Sequence, residues 1–485
     1  MGQSLSKDHF SPADHTEYRQ RIQQQLTELK PILEQPGFSD GPASIGAELE
    51  LYITDNNGFP APLNEALLQA MQHPLLTEEL NRFNLEINLS PVAARGQPFK
   101  AMEAELQPII KELRQHAKAH QGDIISIGIL PTLNSTHLQR DYMTDRPRYR
   151  ALTKELTALK GEPFLVDING QDSLKMRCDE VTLEGANTSF QVHLKVPGES
   201  FARYYNAAQL VTPLVLAVSG NSPTFLGQRL WQETRIALFK QSIDSRNPQL
   251  TEWRQPARVT FGRGWVRKGA WELFAENVAL YRPLMPYLSP DNSPFFELSL
   301  HHGTVWSWNR PVFEYKNGGH LRIEYRALPA GPTVIDMMAN AALAIGLTTA
   351  LAEDIEGLLA RLPFPYAEFN FYRAAQKGLS TNVLWPTNNQ HSLRESAVVD
   401  VLRFLLPEAA RGLAKLGVAA EESNRLLTVI EKRLDTGITG SSWQLKRLEQ
   451  HLESCDQQKA LHRMLEDYQR LSLSGEAVAN WSLSP

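Results

Sequence analysis

Four short stretches place ionisable side chains where strand alternation would gather them on one face. In Ala47-Glu48-Leu49-Glu50-Leu51 the two glutamates share a side, opposite Ala47, Leu49 and Leu51. Phe83 to Leu89 repeats the device, with Leu85, Ile87 and Leu89 facing a core and Glu86 with Asn88 on the other side. Between Asn187 and Lys195 the residues Phe190, Val192 and Leu194 alternate with Ser189, Gln191 and His193. His320 to Arg326 sets Arg322, Glu324 and Arg326 on a single face. Carboxylates brought together on a concave, partly desolvated surface repel and take up protons unless a cation keeps them ionised. Magnesium or manganese supplies that cation, since hard ions prefer oxygen and manganese also accepts imidazole. The candidate metal ligands are Glu48, Glu50, Glu86, His193 and Glu324. Arg326, two residues past Glu324, points into the same space, where a guanidinium beside metal ions neutralises a moving phosphoryl group. No protein nucleophile is required: the first product is an acyl phosphate that an amine then attacks.

Each signal alone has a plainer reading. A Glu-x-Glu strand is more often a solvated sheet face, His193 a hydrogen-bonded structural histidine, and Arg322-x-Glu324-x-Arg326 an exposed ion-pair ladder of small worth. Together the plain readings must explain why several strands abandon β-formers on the same kind of face.

The elements that must position these residues follow from periodicity and stop signals. Residues 14 to 35 read as an amphipathic helix started at Ser11-Pro12, and about Phe99 to His120 as another. Strands are expected at Ile45 to Ile53, Phe83 to Leu89, Ile124 to Leu130, Thr188 to Lys195, Phe295 to Leu300, Val312 to Tyr315 and His320 to Arg326. Leu210 to Val218 and Met337 to Leu351 read as buried helices, too short or too interrupted to cross a bilayer. The segment from Val259 to Trp271, with Gly262, Gly264 and Gly269 among Arg258, Arg263, Arg267 and Lys268, reads as a mobile basic loop that could act as a lid. From Thr333 onward the pattern is mostly helical, with no internal repeat of fixed period.

Composition narrows the partners. Of 485 residues, 42% are hydrophobic and 21% charged, as in globular chains, and 49 basic against 54 acidic residues leave a net charge of −5. Nothing in that balance recommends nucleic acid or an anionic membrane. The two cysteines, Cys178 and Cys455, lie far apart with no metal-binding spacing, which fits a reducing, cytoplasmic setting. Met1-Gly2-Gln3-Ser4-Leu5-Ser6 matches a myristoylation pattern, read as coincidence, and no hydrophobic signal core follows.

Taken in order, Gly46 to Glu50, Gln191-Val192-His193, Ser219-Gly220-Asn221-Ser222-Pro223, Thr304 to Pro311, and Leu321 to Arg326 followed by Pro329 to Thr333 resemble the glutamate–cysteine ligase and carboxylate-amine ligase family. The likeness covers roughly residues 41 to 340. It implies an α+β, glutamine-synthetase-like fold: a curved antiparallel sheet funnel, metals at its narrow end, helices outside. Residues 1 to 40 would form an N-terminal helical segment, and 341 to 485 a helical region packed on the catalytic domain. It implies ATP and Mg2+, with Mn2+ an alternative, and amino acids as small-molecule substrates, glutamate plus cysteine leading. An oligomer is compatible with it. The family's metal ligands fall on the same five residues, its phosphate-facing arginine on Arg326, and its catalytic pair on Glu324 and Arg326. Arg322 is assigned with Arg326 to the nucleotide; Arg235, Arg246 and Gln191 are assigned to substrate. Relatives often read Glu-Asn-Arg where this chain has Glu324-Tyr325-Arg326. Because such ligases differ in the amine they accept, a different acceptor and a catalytically silent relative stand as the alternatives.

Overall fold

In the computed structural model, residues 5–247, 255–316, 318–386 and 393–483 are described, and the Met1-to-Ser4 part of the myristoylation-like motif lies outside them. The main sheet has eight strands: β1 (Ser44–Asp55), β2 (Leu76–Glu78), β3 (Asn84–Asn88), β4 (Val92–Ala93), β5 (Gly122–Ile125), β6 (Phe190–Val196), β7 (Asn309–Glu314) and β8 (His320–Tyr325). Their order is β7-β8-β6-β1-β3-β2, with β4 and β5 also paired to β1. All of these pairings are antiparallel, and the sheet curls into a half barrel, the funnel architecture expected. Alternation along β1 buries Ile45, Ala47, Leu49 and Leu51 and turns Glu48 and Glu50 to the other face.

Helices cover the apolar side. They include α1 (Pro12–Leu33), α2 (Pro98–Ala119), α3 (Pro147–Lys160), α4 (Phe201–Ser219), α5 (Val334–Leu351), α6 (Val398–Lys415) and α7 (Ala420–Thr436). A capping box between Ser11 and Asp14, with Pro12 at the first turn, starts α1 where the sequence signals it. One core joins Tyr18, Ile22 and Leu29 of α1 to Leu49 and Leu194 of the sheet and to Leu343, Leu402 and Ile430 of the C-terminal helices. The 340/341 boundary falls inside α5, which is buried from Asp336 to Ala350. Among the described residues, Val334–Leu359 is long and apolar enough to cross a membrane, so length does not exclude it as expected. Its apolarity has another cause: α4, α6 and α7 all pack against it. Gly346 of α5 and Gly412 of α6 let two backbones approach so closely that a Cβ at Gly412 would overlap the Gly346 carbonyl. Arg433 of α7 donates to Asp336 at 2.7 Å and Asn340 at 2.6 Å, closing the same helix group.

Several local expectations are corrected. Phe295 to Leu300 is not a strand: Phe296–His302 is helical, and the buried Glu297 accepts from Gln25 of α1 at 2.6 Å and from the Ser289 amide at 2.8 Å. Of the Ile124-to-Leu130 run only Ile124 and Ile125 pair in the sheet, as the end of Gly122–Ile125, while Ile127, Ile129 and Leu130 pack in a second core with Trp443 and Tyr468. Two hairpins are additional, Phe164–Asn169 with Ser173–Cys178, and Asn382–Pro386 with Leu393–Ala397. The basic 258–271 loop is pinned rather than mobile. Arg258 is buried and donates to the carbonyls of Arg282 and Thr304, and Val259–Thr260 pairs in parallel with Trp306–Ser307. Val266 exchanges hydrogen bonds with Asn206, and the Trp265 indole donates to the Leu362 carbonyl.

Candidate active site

Register decides which side chains meet. Glu50 lies opposite Glu86 of β3, and Glu48 opposite Gln191 of β6. His193 lies opposite Glu324 of β8, and Glu324 in turn opposite Arg310 of β7. Glu48, Glu50, Glu86, Gln191, Arg322, Glu324 and Arg326 all line one cavity of about 510 Å³, with His193 just behind its wall. Two groups of ligand atoms form there, each within 4.8 Å: Glu48 with His193 and Glu324, and Glu50 with Glu79 and Glu86.

The first group is rich in counter-charge. His193 Nε2 lies 3.4 Å from Glu48 Oε1 and 3.9 Å from Glu324 Oε1. That nitrogen is buried and makes no hydrogen bond, while Nδ1 accepts from Arg322 Nε at 3.2 Å. Glu324, 1% exposed, accepts a fork from Arg310, and Arg326 Nη1 stands 3.5 Å away. Burial disfavours its ionisation, yet Arg310, Arg326 and His193 outweigh that and draw its pKa down to about 2. Glu48 behaves alike: burial opposes its charge, and His193 holds it well below the usual carboxylate range.

The second group is short of counter-charge. Glu50 accepts from the Ser189 amide at 2.7 Å and from Gln191 Nε2 at 2.9 Å, and Gln191 Oε1 in turn accepts from Arg326. Burial raises Glu50 in spite of Arg235 and Arg326. Burial and then the charges of Glu48 and Glu79 push Glu86 well up. Burial, Glu50 and Glu184 push Glu79 to about 8. Like charges directly opposite on paired strands cost stability, and a hard cation removes that cost. The donors fit such an ion: three carboxylates in one group, and in the other two carboxylates facing an orphaned imidazole nitrogen. Nδ1 accepts from Arg322, which orients the ring so that Nε2 faces the two carboxylates.

Not every expected residue reaches the cavity. Arg235 is buried behind Glu50, donating to Glu233 and the Ala327 carbonyl at 3.1 Å each, and does not line the space. Arg246 forks onto Asp244, likewise outside. The 258–271 loop instead walls a separate cavity of about 310 Å³. Cavity residues given no role from the sequence include Glu79, Arg148, Glu184 and Arg310. Glu79 follows the three-residue strand β2, Arg148 opens α3, and Glu184 sits in a 3₁₀ turn, Val181–Ala186, so none shows alternation. Arg310 could have been found, because the alternation seen from Val312 extends back through it.

A curled antiparallel sheet bearing acidic clusters on its inner face, with helices outside, is the glutamine-synthetase-like fold. A model of glutamate–cysteine ligase family 2 matches residues 44–461, most of the chain. The chain belongs to that family and is a ligase of the glutamate–cysteine ligase type. It is 24% identical over 405 residues to a curated Trichormus variabilis protein named "Putative glutamate--cysteine ligase 2", covering 81% of this chain and 85% of that one. It also resembles in fold the crystal structure of a Francisella tularensis glutamate–cysteine ligase in complex with AMP, with a TM-score of 0.55 and 13% identity. That likeness covers 92% of this chain and 91% of the other.

Proposed function

We propose that this chain joins a carboxylate to an amine at the expense of ATP through an acyl phosphate, with glutamate and cysteine as the leading pair and the cytoplasm as its setting. The observation that carries this is the pair of ligand groups on one cavity wall with Arg326 beside Glu324. Glu48, His193 and Glu324 would hold one divalent cation, and Glu50, Glu79 and Glu86 another, Mg2+ or Mn2+. When bound, such cations screen the nucleotide phosphates and draw the acceptor carboxylate into line. The rest of the work falls to the protein. Arg326, fixed by Gln191 and Glu324, neutralises charge on the phosphoryl group as it leaves the nucleotide. Arg322, tethered to His193, lies on the same wall within reach of the nucleotide. Gln191 ties the two ligand groups into one rigid frame, so substrates meet a preorganised surface. The recessed cavity shields the acyl phosphate from water until the amine attacks. Residues 41 to 340 carry this chemistry in our reading, and the terminal helices support the funnel from outside. Phosphate release with ATP and magnesium over a panel of amino-acid pairs tests the proposal. Release with glutamate and cysteine together supports it, release only with another amine moves the acceptor, and silence throughout overturns it.

A further inference from the structure

The contact between Arg310 and Glu324 is unlike an ordinary sheet ion pair. Nε donates to Oε2 at 2.5 Å and Nη2 to Oε1 at 3.0 Å, so the fork takes both oxygens of the carboxylate. One of those oxygens is what Glu324 would offer to a cation together with Glu48 and His193. A carboxylate gripped along both oxygens by a guanidinium has its preferred coordination side blocked. Arg310 thus supplies the positive charge that Glu324, buried beside Glu48, needs in the absence of a metal. Arg326 Nη1 stands 3.5 Å from the same Oε1. Two guanidiniums sharing one oxygen are near enough for a single phosphoryl group to bridge them.

We propose that Arg310 is a second phosphate-binding guanidinium of the site, held on Glu324 as an internal counter-ion and exchanged for a divalent cation when nucleotide binds. This rests on the ATP- and cation-dependent reading above. The exchange needs only side-chain torsions, because the ladder between β7 and β8 fixes the Arg310 backbone opposite Glu324. Arg310 lines the cavity and is 18% exposed, so it can turn toward a ligand without leaving the wall. Once a cation takes Glu324, a partly buried guanidinium is left requiring an anion, and the nucleotide phosphates are that anion.

Binding of Mn2+ alone, of Mn2+ with a non-hydrolysable ATP analogue, and of AMP is to be measured for the wild type, Arg310→Gln and Arg310→Lys, with circular dichroism as the check on folding. For Arg310→Gln we expect Mn2+ alone to bind more tightly, by about fivefold, because its competitor at Glu324 is gone. The analogue should bind about tenfold more weakly, having lost charge-assisted hydrogen bonds, and AMP should be unchanged. Arg310→Lys keeps the charge without the fork, so its analogue affinity should fall between the two. A purely structural Arg310 predicts the reverse: looser Mn2+, with the analogue and AMP either both unaffected or both weakened. If the wild type binds neither Mn2+ nor the analogue, the nucleotide reading itself falls. If the wild type binds both and Arg310→Gln loosens Mn2+ or leaves the analogue unaffected, the role of Arg310 is overturned. Should Arg310→Gln not fold, wild-type analogue affinity in Arg310→Lys overturns it equally.

Discussion

Replacing Glu79 by glutamine should make the cation-free protein more stable at neutral pH. Burial first, then the charges of Glu50 and Glu184, lifts the Glu79 carboxyl from 4.5 to about 8. For an acid whose pKa is higher in the folded state, its stability contribution is full below the unfolded value and is lost as pH rises through the folded value. At about 1.4 kcal/mol per unit, ionisation pressure on Glu79 costs roughly 4 kcal/mol near pH 7.5 and about 1.4 kcal/mol near pH 5.5. Water reaching the cavity screens part of this, so the advantage of Glu79→Gln should grow by about 1.5–2.5 kcal/mol between those pH values. Saturating magnesium should reverse the order, because the wild type then gains a ligand that the variant lacks. Denaturant unfolding followed by tryptophan fluorescence, in chelator and in magnesium, at both pH values, reads all four states. A variant less stable than the wild type in chelator by the same amount at both pH values would refute the idea that carboxylate crowding strains this cluster.

Arg326→Ala should lower turnover by about two to three orders of magnitude while the protein stays folded, since it removes charge stabilisation strongest in the transition state; near-normal turnover would contradict its role. Arg433→Ala leaves Asp336 and Asn340 without their buried partner and should cost about 3–5 kcal/mol in equilibrium unfolding. A loss under about 1 kcal/mol would show that water compensates there. Gly412→Ala forces α5 and α6 apart and should destabilise by about 1–3 kcal/mol in a thermal melt, whereas an unchanged melt would mean the helices slide freely.

The strands bearing Glu48, Glu50, Glu86, His193 and Glu324 were legible because an apolar face alternating with ionisable residues is written into consecutive positions. The run from Phe295 to Leu300 shows where that logic fails. Its alternation also suits a short buried helix, and the partners that decide between the two, Gln25 and the Ser289 amide, lie elsewhere in the chain. The basic loop misled for a related reason. Glycine and arginine together suggest mobility, but Arg258 is locked by carbonyls that local sequence does not reveal. Glu79 and Glu184 belong to no periodic element, and only the closed cavity makes them neighbours of Glu50.

By itself the sequence determined which face of each strand is polar, since backbone pleat assigns alternate residues to opposite sides whatever the strand pairs with. It thereby named most of the acidic and imidazole groups and Arg326. Only the tertiary structure decided that Glu50 meets Glu86, that His193 meets Glu324, and that Arg310 rather than Arg235 or Arg246 stands in the cavity. Pairing register follows from burying whole apolar faces against α2, α4 and α5, a sum over distant segments that no short stretch contains.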